Sequence, residues 1–106
     1  MRTLEFDVKK QRITKKTGCD FTGLVAGSVG YLQARFYFSS DWDRCGMKTV
    51  SFWSNDEEFK VRLGADNTCM IRPEALKGDK FEVSVIGVDH PYRIGTNKTK
   101  VKQEVI

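Results

Sequence analysis

The side chains able to do chemistry in this chain are few and far apart. The single histidine, His90, sits in an Asp-His-Pro-Tyr turn, and imidazole is the one ordinary side chain that changes charge near neutrality. A Cys or Ser nucleophile needs such a base within hydrogen-bond reach, and partners in a fold need not be neighbours in sequence. Spacing alone leaves that pairing open, but none of Cys19, Cys45 and Cys69 lies in a recognisable nucleophile motif. No catalytic residue is assigned, and no enzymatic activity is expected.

Metal and phosphate chemistry fare no better. The three cysteines are odd in number, widely separated and without a Cys-x-x-Cys pair, so neither a zinc site nor a complete disulfide framework is indicated. They read as reduced thiols of a protein that folds in a reducing cytoplasm. Asp41 and Asp43 flank Trp42, and Asp56, Glu57 and Glu58 form a second acidic group. Neither has the spacing of a calcium loop; Asp41 reads as a turn cap and the trio as a solvated hairpin tip. Gly18, Gly23, Gly27 and Gly30 are not followed by a helix, so the anion-binding half of a phosphate cradle is missing. No cofactor and no metal are expected.

Aromatic residues remain. Tyr31, Tyr37 and Trp53 are the aromatics that face away from the expected core, and they suit either a sugar-stacking platform or a subunit contact. Exposed aromatics more often mark protein interfaces. The interface candidates are therefore Tyr31, Arg35, Tyr37 and Trp53.

The elements that must position these residues read as strands. In the stretch Tyr31–Trp42, Leu32, Ala34, Phe36 and Phe38 share one side and Tyr31, Gln33, Arg35 and Tyr37 the other, because strand side chains alternate with period two. Ser39, Ser40 and Asp41 end that ladder by bonding nearby backbone, and Trp42 follows as an apolar plug. Leu4, Phe6 and Val8 alternate in a first strand, with Ile13 and Thr14 in a short second piece. Lys15 to Gly30 is a long loop with one short strand expected around Phe21 to Val25. Met47–Ser54 and Phe59–Leu63 make a hairpin over a polar Asn55–Glu57 turn, and Thr68–Ile71 a short strand. Arg72–Lys77 is the one helical turn. Lys80–Val88 and a final strand from Tyr92 to Val101 complete the chain; the Lys98, Lys100, Lys102 row suits a strand edge kept from pairing.

The fold class is thus all-β: an antiparallel immunoglobulin-like β-sandwich of seven or eight strands with one short helical turn, a small barrel being second choice. The 106 residues fit a single β-sandwich domain, 1–106, that buries roughly 65% of its unfolded surface. A net charge of +4 allows weak attraction to nucleic acid or anionic cell-wall polymers. The lysines are spread along the sequence and no recognition module is present, so nucleic acid is not expected as a partner. Met1–Lys10 lacks the apolar run of a signal peptide, and no stretch approaches the about 18 apolar residues of a membrane span, so no membrane association is expected.

The run SVGYLQARFYFSSDWDRCGMKTVSFWS, the IRPEAL turn, KGDKFEVSVIGV and the closing TNKTKVKQEV resemble the small immunoglobulin-like modules of tailed bacteriophages. These are typified by the N-terminal module of baseplate upper proteins in phages of Gram-positive bacteria. The resemblance spans Leu4 to Val101. Its most specific parts are F-x-F-S-x-D-W at Phe36–Trp42, the turn Pro73–Leu76 and Thr96–Lys98. It implies a virion structural protein of the tail or baseplate, made in the bacterial cytoplasm, that contacts other phage structural proteins and its own copies and carries no active site. The alternatives are a head or tail decoration protein, or a receptor-binding module that meets host cell-wall carbohydrate through Tyr31, Tyr37 and Trp53.

Overall fold

A computed structural model describes residues 1–106. Two sheets pack face to face as a β-sandwich. One sheet has strand order β2-β1-β3-β6, with β1 Arg2–Lys9, β2 Arg12–Lys15, β3 Leu32–Phe38 and β6 Thr68–Met70. The other has order β5-β4-β7-β8, with β4 Met47–Ser54, β5 Glu57–Arg62, β7 Lys80–Asp89 and β8 Tyr92–Gly95, while β9 Thr99–Lys102 also pairs with β7. No helix is long and apolar enough to cross a membrane.

Alternation builds the core. From the four-stranded sheet Leu4, Phe6, Val8, Ile13, Leu32, Ala34 and Phe36 point inward, and Val50, Phe52, Phe81, Val83, Val85 and Val101 answer from the other sheet. Trp42 is wholly buried. Phe6 stacks on Phe36 with centroids 5.3 Å apart, and Phe38 lies 5.1 Å from Trp42. Phe38, expected in the core, is half-buried: it is the last residue of β3, where the ladder gives way to the corner, and Lys48 covers its ring at 5.2 Å.

Several expectations need correction. The strands number nine, because the last expected strand breaks into β8 and β9 at Thr96–Lys98. There the Thr96 N–H still donates to the Val85 carbonyl at 3.0 Å, but the return bond passes to the side chain: Oγ1 accepts the Val85 N–H at 3.0 Å and donates to the Asn97 carbonyl at 2.8 Å. The pairing is antiparallel throughout except for β1 with β3, which run parallel over seven registered positions from Arg2↔Leu32 to Val8↔Phe38. A parallel pair needs a crossover longer than a hairpin, and residues 16–31 supply it. That loop forms no strand at Phe21–Val25, only an isolated bridge from Val25 to Glu104. It packs by Leu24, which is buried, and by Phe21, whose ring meets Phe6 edge-on at 5.5 Å. Two short 3-10 turns are present, Ser40–Trp42 and Pro73–Ala75, where one was expected.

The motif residues hold the corners. Ser39 Oγ accepts the Lys10 N–H at 2.9 Å and donates to Asp41 at 3.0 Å, and the Trp42 indole N–H donates to the Lys10 carbonyl at 2.8 Å. Lys10 sits in the β1–β2 turn at φ 55, so the corner after β3 clamps a strained turn. Asn97 joins the sheets at their other edge: its Oδ1 accepts the Ile13 N–H at 2.9 Å and its N–H reaches the Gln11 carbonyl at 3.3 Å.

Candidate functional site

The candidate residues divide between the two outer faces of the sandwich. Tyr31 precedes β3 in phase with Gln33, Arg35 and Tyr37, so all four belong to the outer face of the four-stranded sheet. Trp53 lies on β4, in register with Glu82 and Glu58, on the outer face of the other sheet. Tyr31 and Tyr37 therefore share a surface that Trp53 does not join. The sequence concealed this because both strands alternate, and alternation does not say which sheet a strand enters.

On the four-stranded sheet the register sets rows across the face. Thr3 lies beside Gln33, Glu5 beside Arg35 and Asp7 beside Tyr37. Side chains bond along these rows: Gln33 Nε2 donates to Thr3 Oγ1 at 3.1 Å, and the Tyr37 hydroxyl donates to the Glu5 carboxylate one row below. Lys16 pairs with Asp7 at 3.4 Å and sits 4.5 Å from the Tyr37 ring centroid. At the lower end the polar rows stop. Tyr31 is 51% exposed and Met70 39%, and since Gln33 registers with Met70, Tyr31 is its diagonal neighbour. At the upper end a groove of about 490 Å³ opens between Asp7, Lys9 and Lys10 on one bank and Tyr37–Asp41 on the other.

On the opposite face Trp53 is already engaged. Its indole N–H donates to Ser84 Oγ at 3.0 Å, and the Lys98 ammonium lies 3.7 Å from the ring centroid. Ser51 and Ser84 are buried beneath this arrangement although they point outward. The ring face that would stack on a sugar is occupied by Lys98.

Shifted ionisable groups mark local locks. The Thr22 hydroxyl and N–H hold the Asp20 carboxyl below its usual range, and Thr68 does the same for Asp66. Arg72 lowers Glu74 through two hydrogen bonds of 3.1 Å. Burial pushes the Cys69 thiol up to about 12, which keeps it protonated and poorly nucleophilic. Cys45 is buried and Cys19 half-buried, with its sulfur accepting the Glu5 N–H at 3.3 Å. His90 is exposed beside a cis bond to Pro91. No three His, Cys, Asp or Glu side chains gather in a group able to hold a metal ion. Asp41 contributes to the Ser39 lock, and its carbonyl accepts the Tyr92 hydroxyl at 2.8 Å.

Sequence reasoning missed the groove and the Asn97 junction, to each of which residues distant in the chain contribute. The matching parity of Lys60 with Arg62, and of Lys98, Lys100 and Lys102, was visible, but not that these strands share one sheet. The chain matches no protein-family model and no curated protein sequence.

Proposed function

We propose that this protein is a non-enzymatic structural protein of a phage virion, a tail or baseplate assembly module that binds other virion proteins and its own copies. It is made in the bacterial cytoplasm and acts through the outer face of the four-stranded sheet. The observation that carries this reading is the organisation of that face: adjacent exposed Tyr31 and Met70 beside a polar field already cross-bonded through Thr3–Gln33, Glu5–Tyr37 and Asp7–Lys16. An apolar anchor beside an ordered polar field suits an interface, because bonded side chains lose less freedom on docking. The residues that carry the family resemblance agree with it, since Ser39, Trp42, Thr96 and Asn97 are committed to scaffold bonds and leave no reactive group.

The test is mass spectrometry of purified phage particles, wild type against Tyr31→Ala/Met70→Asp. The wild-type protein is expected at fixed copy number, and the variant, with an unchanged melting curve, is expected to be missing from particles. Absence of the wild-type protein, or undiminished incorporation of the variant, refutes the reading. A head or tail decoration role differs only in where the copies sit. A carbohydrate-binding role is the weaker reading, because Tyr31 and Tyr37 do not share a face with Trp53.

A further inference from the structure

A strand at the edge of a sheet leaves every second backbone N–H and C=O without a partner strand, and the edges of this sandwich differ in what becomes of those groups. On β2 the Ile13 N–H is taken by Asn97 Oδ1. On β6 the Thr68 carbonyl accepts the Gly64 N–H, and the Thr68 N–H turns to Asp66. β8 and β9, both paired with β7, present Arg93, Lys100 and Lys102, all exposed, and a row of one sign repels a copy of itself in any register. β5 is different. The Leu63 N–H donates to the Lys48 carbonyl at 2.9 Å, and backbone direction alternates along a strand. Val61 and Phe59 therefore bond inward to β4, while the backbone groups of Glu58, Lys60 and Arg62 point away from the sheet. Their side chains register with Trp53, Ser51 and Thr49 on the outer face, and all three are exposed. Phe59 and Val61 are half-buried against the rim of the core.

We propose that β5 pairs antiparallel with β5 of a second copy, about a two-fold axis through Phe59. Main-chain bonding needs outward-directed residues to face one another, so the axis must pass through a residue and not between two. Charge then chooses which residue, because like charges directly opposite destabilise a pair and opposite charges support it. An axis at Glu58 sets Glu58 on Glu58, one at Lys60 sets Lys60 on Lys60, and one at Val61 sets Lys60 on Arg62. At Phe59 each Glu58 faces a Lys60, and the two Phe59 rings meet across the axis, covering apolar surface that a single copy leaves half-exposed. The two facing pairs exchange four main-chain hydrogen bonds and join two five-stranded sheets into one. A foreign strand of one sign meets a like charge at either Glu58 or Lys60, whereas a second copy meets neither, and this selects the occupant. The contact uses none of the residues given the assembly role, which lie on the other sheet.

Sedimentation velocity from about 10 µM to about 1 mM tests it, since an edge contact of this length belongs with the small, weak interfaces of below about 1,200 Å². Wild type is expected to pass from monomer to dimer across that range. Glu58→Lys makes the β5 row wholly cationic and is expected to weaken dimerisation at least tenfold. Glu58→Lys/Lys60→Glu exchanges the two charges, restores opposite pairs and is expected to return dimerisation to within threefold of wild type. Hydrogen exchange is expected to show the Glu58 and Lys60 amides gaining protection as concentration rises, while the Phe59 and Val61 amides are protected throughout. Tyr31→Ala/Met70→Asp, which disables the assembly face, is expected to dimerise as wild type does, so failure of one contact is read apart from failure of the other. Five results overturn the proposal: a monomer at the highest concentration, undiminished dimerisation of Glu58→Lys, a charge-swapped variant no better than Glu58→Lys, unprotected Glu58 and Lys60 amides in the dimer, or a dimer lost in Tyr31→Ala/Met70→Asp. Matching thermal melts of the variants separate loss of pairing from unfolding.

Discussion

Replacing Gly87 by alanine is the sharpest test of how the upper end of the sandwich is packed. Gly87 lies inside β7, between Lys48 of β4 and Ile94 of β8. A β-carbon there would stand 2.8 Å from Cys45 Sγ and 2.9 and 3.0 Å from two carbons of the Trp42 six-membered ring. The ring cannot swing aside freely: it is fully buried, its N–H is tied to the Lys10 carbonyl at 2.8 Å and Phe38 packs on it. Nor can the strand retreat, being bonded on both sides. In an open strand position glycine to alanine stabilises by roughly 0.5–1 kcal/mol, so the sign of the effect is itself diagnostic. Overpacking of this kind costs about 2–3 kcal/mol, which lowers Tm by roughly 10 °C in a domain of this size. Urea unfolding should show a lower midpoint at unchanged slope. Because Phe lacks the outer ring atoms, Trp42→Phe should relieve the clash, so the double variant should be more stable than additivity predicts by at least about 1 kcal/mol. A Gly87→Ala variant as stable as wild type would refute the packing argument.

Four further outcomes follow from the same structure. Asn97→Ala should cost about 1–2 kcal/mol by leaving the Ile13 N–H without its acceptor, and hydrogen exchange should show the Ile13 amide losing protection before those of β7. Ser39→Ala should cost about 1 kcal/mol and free the Lys10 turn, seen as limited proteolysis at Lys9–Arg12 that wild type resists. With iodoacetamide at pH 8, mass spectrometry should find Cys19 modified and Cys45 and Cys69 spared. Because folding holds the Cys69 thiol neutral up to about 12, its linkage contribution is fully present below the free-thiol value of about 8.5 and declines as pH rises toward 12; replacing Cys69 with Ala should flatten that alkaline fall.

Much of this molecule is legible as local pattern. The inward sets Leu4, Phe6, Val8 and Val50, Phe52 follow from period-two alternation, and the tight Asn55–Asp56 turn, with φ of 50 and 67, sits where Asn and Asp tolerate left-handed backbone. Trp42 was recognisable as a core plug, because a tryptophan after a turn-forming Ser-Ser-Asp run has few other places to go. The break at Thr96–Lys98 was not legible: nothing in the sequence marks the Thr96 hydroxyl as the partner of a β7 amide. Leu24 could not be placed either, since an apolar residue in a glycine-rich loop packs only if another part of the chain comes to meet it.

Sequence by itself determined most of the strands, which of their sides is apolar and that the chain closes as an all-β sandwich, because those properties depend on spacing along one strand; it did not exclude a strand at Phe21–Val25 or show the break at Thr96–Lys98. Only the tertiary structure decided which strands are neighbours. That decision set the parallel β1–β3 pair, placed Trp53 on the opposite face from Tyr31 and Tyr37, and brought Lys60, Arg62, Arg93, Lys98 and Lys100 onto one surface. Neighbouring strands are chosen by packing across the whole core, so the surface they compose cannot be read from any one of them.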